Sequence, residues 1–197
     1  MNDLFISYAH IDDLPISEDQ KGWISEFHRV LQNRLAQLMG EKPKIWRDQK
    51  LSGSDIFDNE IVDQFKNTKL MVSVLSPRYI KSEWCNKEIK EFYRNAELSS
   101  GVALAGKSRV LKVVKTPYDP QDVHPELKQV FGSVLGFNFY DFDNDSGKVV
   151  EYNEAFGKEA RQNYFTRIYD LAYEICEILK NSDGKRNDSS ETPLPKQ

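Results

Sequence analysis

Apolar and polar positions along the chain predict strands that alternate with helices. A continuous apolar run at 70–75 has the length of a strand buried on both faces. Shorter runs of the same kind occur at 4–6, 44–46, 109–114 and 137–140. Apolar residues at helical spacing lie between these runs, as with Trp23, Phe27, Leu31 and Leu35. Five strands alternating with helices indicate an α/β protein, with a mostly parallel sheet and helices on both of its faces.

The segment that follows the most apolar strand contains the predicted site. Ser76-Pro77 ends that strand, because proline donates no ladder hydrogen bond and disfavours helix before it. Ser82 is a predicted N-cap for the next helix. Trp84 and Glu88 lie one turn apart on that helix, at the rim beside the stripe that faces the sheet. An indole and a carboxylate are thus predicted at the carboxyl end of a strand, where open α/β sheets bind ligands.

Local signals set the other predicted boundaries. Ser17-Glu18-Asp19-Gln20 has the form of a capping box before the first helix, and Gly40 is a predicted C-cap. The acidic loop at 143–147 predicts a hairpin that returns through 149–152.

The C-terminal part of the chain divides by polarity. Apolar residues at helical spacing predict a last helix over 157–180. Residues 181–197 are nearly all polar and lack periodicity. One domain over 1–180, followed by a polar flexible tail or linker, is therefore predicted.

Composition and charge narrow the class of protein. The chain has 197 residues, 29% of them charged, and a net charge of -4, which is typical of a soluble globular domain and disfavours a nucleic-acid groove. The sequence shows neither a bilayer-spanning run nor a secretory pattern after Met1, so a cytoplasmic location is predicted, with no membrane partner. Cys85 and Cys176 both fit small core residues in a reducing compartment, although Cys85 could also be a reactive thiol beside the site.

Other candidate chemistries are weaker. Asp141, Asp143 and Asp145 alternate like the start of a calcium loop, but the glycine comes one position late, at Gly147, so no metal site is predicted. Asp12-Asp13 follows the first strand as in phosphoacceptor domains, without the lysine and threonine arrangement that such chemistry requires later in the chain.

Three blocks of sequence resemble one known family, the Toll/interleukin-1 receptor (TIR) domain. They are Asp3 to Tyr8, then Trp46-Arg47-Asp48 with Gly53, and then Ser76-Pro77 through Ser82 to Glu88. Their order and spacing resemble the family's box 1, its box 2 with the BB loop, and the helix that carries the WxxxE pattern. The resemblance extends from about Met1 to Lys115 and is closest to prokaryotic members.

This resemblance implies a flavodoxin-like sheet with strand order 2-1-3-4-5, in which strands one and three border a crevice. It also implies cleavage of NAD+ at the nicotinamide–ribose bond by Glu88, the glutamate of WxxxE, with NAD+ as substrate and no cofactor. The residues that would line the substrate pocket are Ser7, Tyr8, Ala9, His10, Trp46, Arg47, Asp48, Tyr79, Trp84 and Cys85. The loop implied to dock a neighbouring copy consists of Gln49, Lys50, Leu51, Ser52, Gly53, Ser54 and Asp55.

Two functions remain open at this point. One is an NADase effector that becomes active on self-association, with a sensor domain or partner protein that triggers it, in antiphage defence or signalling. The other is a non-catalytic TIR–TIR scaffold, in which Trp84 only covers the core and Glu88 is a solvated surface residue.

Overall fold

A computed structural model of the chain describes residues 2–47, 59–99, 101–132, 134, 136–153 and 156–187. Two short 3-10 turns, at His10–Asp13 and Pro120–Asp122, interrupt the loops. The strands and helices, in chain order, are β1 (Asn2–Tyr8), α1 (Trp23–Met39), β2 (Ile45–Arg47), α2 (Asn59–Lys66), β3 (Thr68–Leu75), α3 (Pro77–Ile80), α4 (Glu83–Leu98), β4 (Ala103–Leu104), β5 (Lys107–Ser108), β6 (Val110–Val114), α5 (Pro125–Phe131), β7 (Gly136–Asn138), β8 (Tyr140–Phe142), β9 (Val149–Glu151) and α6 (Gly157–Asn187).

Five parallel strands form the central sheet, in the order β2-β1-β3-β6-β7. With β6 and β7 counted as the fourth and fifth sheet strands, this is the predicted order, and the α/β flavodoxin-like fold is confirmed. The register aligns Ser7 of β1 with Ser73 of β3, Lys112 of β6 and Gly136 of β7. Because paired residues share a face of the sheet, these four positions form one row across it.

The sheet separates two hydrophobic clusters. On one side, which we call the α1/α6 face, β1 contributes Leu4, Ile6 and Tyr8 to a cluster with α1 and α6. On the other side, the α4 face, Phe5 and Ala9 pack with residues of β3, α3, α4 and α5. This division follows from the period of two along a strand, which sends neighbouring side chains to opposite faces.

The connection from β3 into α4 is capped twice by serine. Ser76 Oγ accepts a hydrogen bond of 3.1 Å from the backbone N–H of Tyr79, which starts the short helix α3. Ser82 Oγ accepts one of 3.2 Å from the N–H of Cys85 and caps α4 as predicted. Helix α3, which the sequence did not predict, positions Tyr79 beneath the end of the sheet.

The predicted capping box at 17–20 is wrong. Helix α1 begins at Trp23, and Gly22 occupies the N-cap without a side-chain cap. The carboxylate of Asp13 supplies the bond instead, because its Oδ1 accepts the N–H of Ser25 at 2.7 Å. One of the free amides of the first turn is thus satisfied by a side chain that is adjacent to the helix start in space but not in sequence.

The remaining boundaries mostly agree with the sequence. Gly40 ends α1 in the left-handed conformation, with φ of 79°, as predicted for a C-cap. Strands β8 and β9 form the predicted antiparallel hairpin, although Phe139 separates β8 from β7. The β4–β5 hairpin was not predicted. Helix α6 continues past the predicted end at Lys180 to Asn187, and residues 188–197 lie outside the described part of the chain.

Hydropathy gives no sign of a membrane helix: within the described ranges, no helix combines the length and apolarity that crossing a bilayer requires.

Candidate active site

The carboxylate of Glu88 lies at the centre of the predicted site, where Ser7 and Trp84 donate to it. Ser7 Oγ donates to Oε2 at 2.5 Å, and the indole N–H of Trp84 donates to Oε1 at 3.1 Å. Glu88 is only 3% exposed. The sequence placed this residue at the rim of the helix, whereas the structure buries it against the end of β1.

A buried tyrosine extends this network behind Ser7. The phenolic oxygen of Tyr79 lies 2.9 Å from Ser7 Oγ. Burial, followed by the nearby Cys85 and Glu88, raises the pKa of Tyr79 well above its usual value. The phenol therefore keeps its proton and can donate to Ser7 Oγ, which leaves the serine hydrogen for Glu88.

Ser7, Trp84 and Glu88 are brought together by the spacing of residues along α4 and along β1. Trp84 and Glu88 are one turn apart, so their side chains meet on one side of α4. Ser7 is the last residue of β1 that points to the α4 face, at the carboxyl end of the strand. These three side chains thus converge where β1 and β3 end.

A second group of predicted residues lies at the same edge but on the α1/α6 face. The ring of Tyr8 packs in the α1/α6 cluster and stacks on His10, with ring centres 5.4 Å apart. The guanidinium of Arg47 lies 5.8 Å from the centre of the Tyr8 ring. A ligand that contacts both Tyr8 and Glu88 must therefore pass over the end of β1.

Arg47 already has protein partners. Its Nη1 donates to Asp13 Oδ2 at 3.1 Å, and its Nη2 donates to Ser25 Oγ at 3.0 Å. Its buried Nε has no hydrogen-bond partner among the described residues. The guanidinium thus links β2 to the start of α1 and supports Tyr8 from below.

Three other predicted pocket residues mainly pack. The ring of Trp46 stacks on Phe5 with centres 4.6 Å apart, in the α4-face cluster. Cys85 is buried, its Sγ lies 3.6 Å from the carbonyl oxygen of Tyr8, and burial together with Glu88 raises the pKa of the thiol. Ala9 is buried at the turn that follows β1. A raised pKa disfavours the thiolate, so this geometry matches the core interpretation of Cys85.

The remaining predicted residues fall outside the described part of the chain. Asp48 of the pocket and the docking loop at 49–55 are among them.

Sequence reasoning missed the polar contact between the first loop and the end of β3. Ser76 Oγ donates to Asp12 Oδ2 at 2.6 Å while it accepts the N–H of Tyr79. Burial raises the pKa of Asp12, while Ser76 and the charge of Lys115 act in the opposite direction. In the sequence, Asp12-Asp13 resembles only a phosphoacceptor signal. The two acidic residues in the loop after the first strand were the available indication that carboxylates there bind neighbouring elements.

Among the described residues, His, Cys, Asp and Glu side chains form no group of three or more that could hold a metal ion. The site offers the Glu88 carboxylate, which accepts from the Ser7 hydroxyl and from the half-buried indole of Trp84. Such an arrangement suits a reaction in which positive charge develops next to the carboxylate.

Comparison with family models agrees with the resemblance seen in the sequence. A family model described as TIR domain matches residues 4–149. Among solved structures, the TIR domains of the activated Roq1 resistosome, which directly recognizes the pathogen effector XopQ, match with 15% identity and a TM-score of 0.40, over 88% of this chain and 84% of that chain. No curated protein matches the chain. Because the family model spans well over half of the chain and includes β1, β2 and α4, the chain belongs to the TIR domain family.

Proposed function

We propose that this TIR domain cleaves NAD+ at the nicotinamide–ribose bond, with Glu88 as the catalytic residue. The observation that carries the proposal is the position of the Glu88 carboxylate, bound by Ser7 and Trp84 where β1 and β3 end. The family contains NAD+-cleaving enzymes, and the sequence blocks resemble its prokaryotic members. In this proposal the domain is an effector activated by assembly, in bacterial antiphage defence or signalling.

The chemistry requires little more than this site offers. Glycosidases ordinarily need two carboxylates, because an alkoxide leaving group must be protonated. In NAD+ the nicotinamide ring is already cationic, so it takes the electron pair of the C–N bond and leaves as a neutral molecule. Water, or a nucleophilic atom of the same dinucleotide, then bonds to the ribose carbon. One carboxylate that stabilises the positive ribose centre is therefore sufficient.

The burial of Glu88 supports the proposal that the domain must be activated before it can cleave NAD+. A side chain that is 3% exposed cannot meet a ribose until a neighbour moves. Trp84, half-buried above it and bonded to Oε1, is the side chain whose displacement would open the carboxylate to substrate. Packing of a second copy against this edge, through the loop at 49–55, would supply the free energy for that change.

The other predicted pocket residues fit a dinucleotide that crosses the end of β1. The exposed ring of His10, stacked on Tyr8, offers an aromatic surface on the α1/α6 face. The adenine ring or the nicotinamide ring of NAD+ can stack on such a surface. Because Asp13 and Ser25 already bind the guanidinium of Arg47, this residue would act indirectly, by holding the ring of Tyr8 in place.

A scaffold function is the second candidate, and the same burial favours it. If Trp84 never leaves Glu88, the carboxylate is only an internal hydrogen-bond acceptor and the domain serves to recruit other TIR domains, a sensor or another partner protein. The two functions differ in one measurable respect, the release of nicotinamide.

The proposal is tested by mass analysis of NAD+ after incubation with protein fused to an oligomerising coiled coil. The expected result is release of nicotinamide together with linear or cyclic ADP-ribose in equal amount. A sample that is shown to be assembled, and yet leaves NAD+ intact, would establish the scaffold function instead. The unfused protein at low concentration serves as the reference for activation by assembly.

A further inference from the structure

A cavity of about 330 Å³ opens at the carboxyl ends of β6 and β7, away from the Glu88 site. In the row across the sheet, Lys112 lies two strands from Ser7, which is about 10 Å at the usual strand spacing. The cavity is within the size range of small-ligand sites in proteins. Its lining residues are Lys112, Val114, Pro117, Tyr118, Pro120, Gly136, Asn138 and Tyr140.

The polar groups around this cavity have few partners. Among the described residues, the Lys112 ammonium makes one long hydrogen bond, 3.4 Å to the carbonyl oxygen of Phe131. The side chains of Tyr118, Asn138 and Tyr140 make no hydrogen bond to any described residue. The described lining residues include no carboxylate, so none of them neutralises the lysine.

A glycine allows the lysine to take this position. Gly136 pairs with Lys112 in the sheet, and a Cβ built on Gly136 would lie 2.7 Å from Lys112 Cε. The aliphatic part of Lys112 therefore lies across β7, in space that a Cβ at position 136 would partly occupy. Burial lowers the pKa of this lysine, which agrees with a cation that is partly removed from water.

We propose that this cavity is a binding site for a small oxyanion group, a phosphate or a carboxylate carried by a compact ligand. The Lys112 ammonium neutralises the anion, while the Tyr118 and Tyr140 hydroxyls and the Asn138 amide donate to its oxygens. The two phenols lie near each other, since Tyr140 contributes to the raised pKa of Tyr118. Val114 and two prolines supply an apolar wall for the rest of the ligand. This site is independent of NAD+ cleavage.

The competing explanation is that Lys112 only caps the carboxyl end of α5 through Phe131. Its bond to that carbonyl is long for a charged donor, whereas ordinary charge-assisted bonds measure about 2.7–2.9 Å. A capping role predicts no dependence of stability or spectra on added anions.

The test is an NMR titration of the intact protein with inorganic phosphate and, separately, with acetate, at constant ionic strength set by chloride. Saturable amide shifts centred on Gly136 and Asn138 are expected. Saturation by phosphate alone identifies a phosphate group as the natural ligand, and saturation by acetate alone identifies a carboxylate.

Lys112→Met keeps the aliphatic part of the side chain and removes the charge, so binding should weaken about tenfold or more, the factor for one charge-assisted hydrogen bond. Tyr140→Phe should weaken binding to a smaller extent. Lys148→Met, at an exposed lysine of the β8–β9 hairpin, should leave it unchanged. Shifts that do not saturate with either anion, or saturation that survives Lys112→Met, would overturn the proposal, and neither result bears on nicotinamide release.

Discussion

Glu88 is a buried acidic residue whose carboxylate accepts hydrogen bonds from Ser7 and Trp84. Removing a carboxylate from water costs several kcal/mol, which hydrogen bonds from neutral donors offset only in part. A chain selected for stability alone would place a glutamine or an apolar residue here. The retention of a carboxylate at the end of β1 is therefore an argument for chemistry rather than for folding.

At Tyr79, the hydroxyl is the part of the side chain that acts on the site. Tyr79→Phe should cost about 1 kcal/mol of unfolding free energy, the net value of one hydrogen bond, and should lower nicotinamide release because Ser7 loses its donor. Urea unfolding and turnover on assembled protein measure the two effects. Tyr173→Phe, at an exposed tyrosine of α6, is the matched control. An unchanged turnover in Tyr79→Phe would contradict the role of Tyr79 in orienting Ser7.

Asp12 should make the stability of the protein depend on pH. Burial raises its pKa in the folded state, so the folded protein binds the proton more tightly than the unfolded chain does. Its effect on stability is therefore least unfavourable below the unfolded pKa of about 3.9, and it worsens as the pH rises through the folded pKa. Asp12→Asn, which can still accept from Ser76, should gain stability relative to the parent at pH 7, and this gain should shrink towards pH 4.

Denaturant unfolding of both proteins between pH 4 and pH 7 measures this difference. Asp145→Asn, at an exposed aspartate of the β8–β9 turn, should not reproduce it. A constant difference across the range would show that the Asp12 carboxylate is not buried as described.

At the scale of elements, local capping signals were predictive where the cap is adjacent in sequence. Ser82 before α4 and Gly40 after α1 are both confirmed, since each completes hydrogen bonds within a few residues. The start of α1 was missed because its capping oxygen comes from Asp13, on a turn whose position depends on the folded loop. Helix α3 was missed because four residues carry too little periodicity to predict a helix.

The backbone of Gly22 lies very close to that of Asp13, which gives a prediction for the start of helix α1. A Cβ on Gly22 would lie well inside van der Waals contact of the carbonyl and carboxylate oxygens of Asp13. Gly22→Ala should therefore cost about 2–3 kcal/mol, as overpacking against backbone does, and displace the Asp13 cap.

Gly40→Ala provides the comparison, because nothing lies within 4 Å of its Cβ and only the left-handed φ opposes it, at about 1 kcal/mol. Thermal or urea unfolding ranks the two variants. If Gly22→Ala were the milder substitution, this result would contradict the close contact between the Asp13 turn and the start of α1.

For the whole molecule, the alternation of apolar runs and helices was sufficient to predict the sheet and its two covered faces. The resemblance to the TIR family supplied the strand order and pointed to Glu88. The arrangement of the site residues was predicted less well. Tyr8 and Glu88 were expected to share one crevice, whereas the structure places them on opposite faces of the sheet. The period of two in β1 already contained that signal for Ser7 and Tyr8. The burial of Glu88 was not predictable, since it depends on how closely α4 packs against the end of β1.

Assembly should change activity more than any substitution outside the site. Fusion to an oligomerising coiled coil raises the effective concentration of neighbouring domains to about the millimolar range. Nicotinamide release per domain should therefore increase at least about tenfold over the unfused protein at micromolar concentration. A coiled-coil fusion whose helices are made monomeric is the control. Equal rates per domain in both fusions would show that assembly does not activate the domain.

The most direct test of the central claim compares nicotinamide release by assembled parent protein, Glu88→Gln and Glu97→Gln under the same conditions. Glu97 is an exposed glutamate of the same helix, so its variant controls for loss of a charge on α4. We expect release to fall at least about 100-fold in Glu88→Gln, the scale of losing one electrostatic contact to the transition state, while folding, assembly and the Glu97→Gln rate are retained. Turnover by folded, assembled Glu88→Gln at the parent rate would contradict the assignment of Glu88 as the catalytic residue.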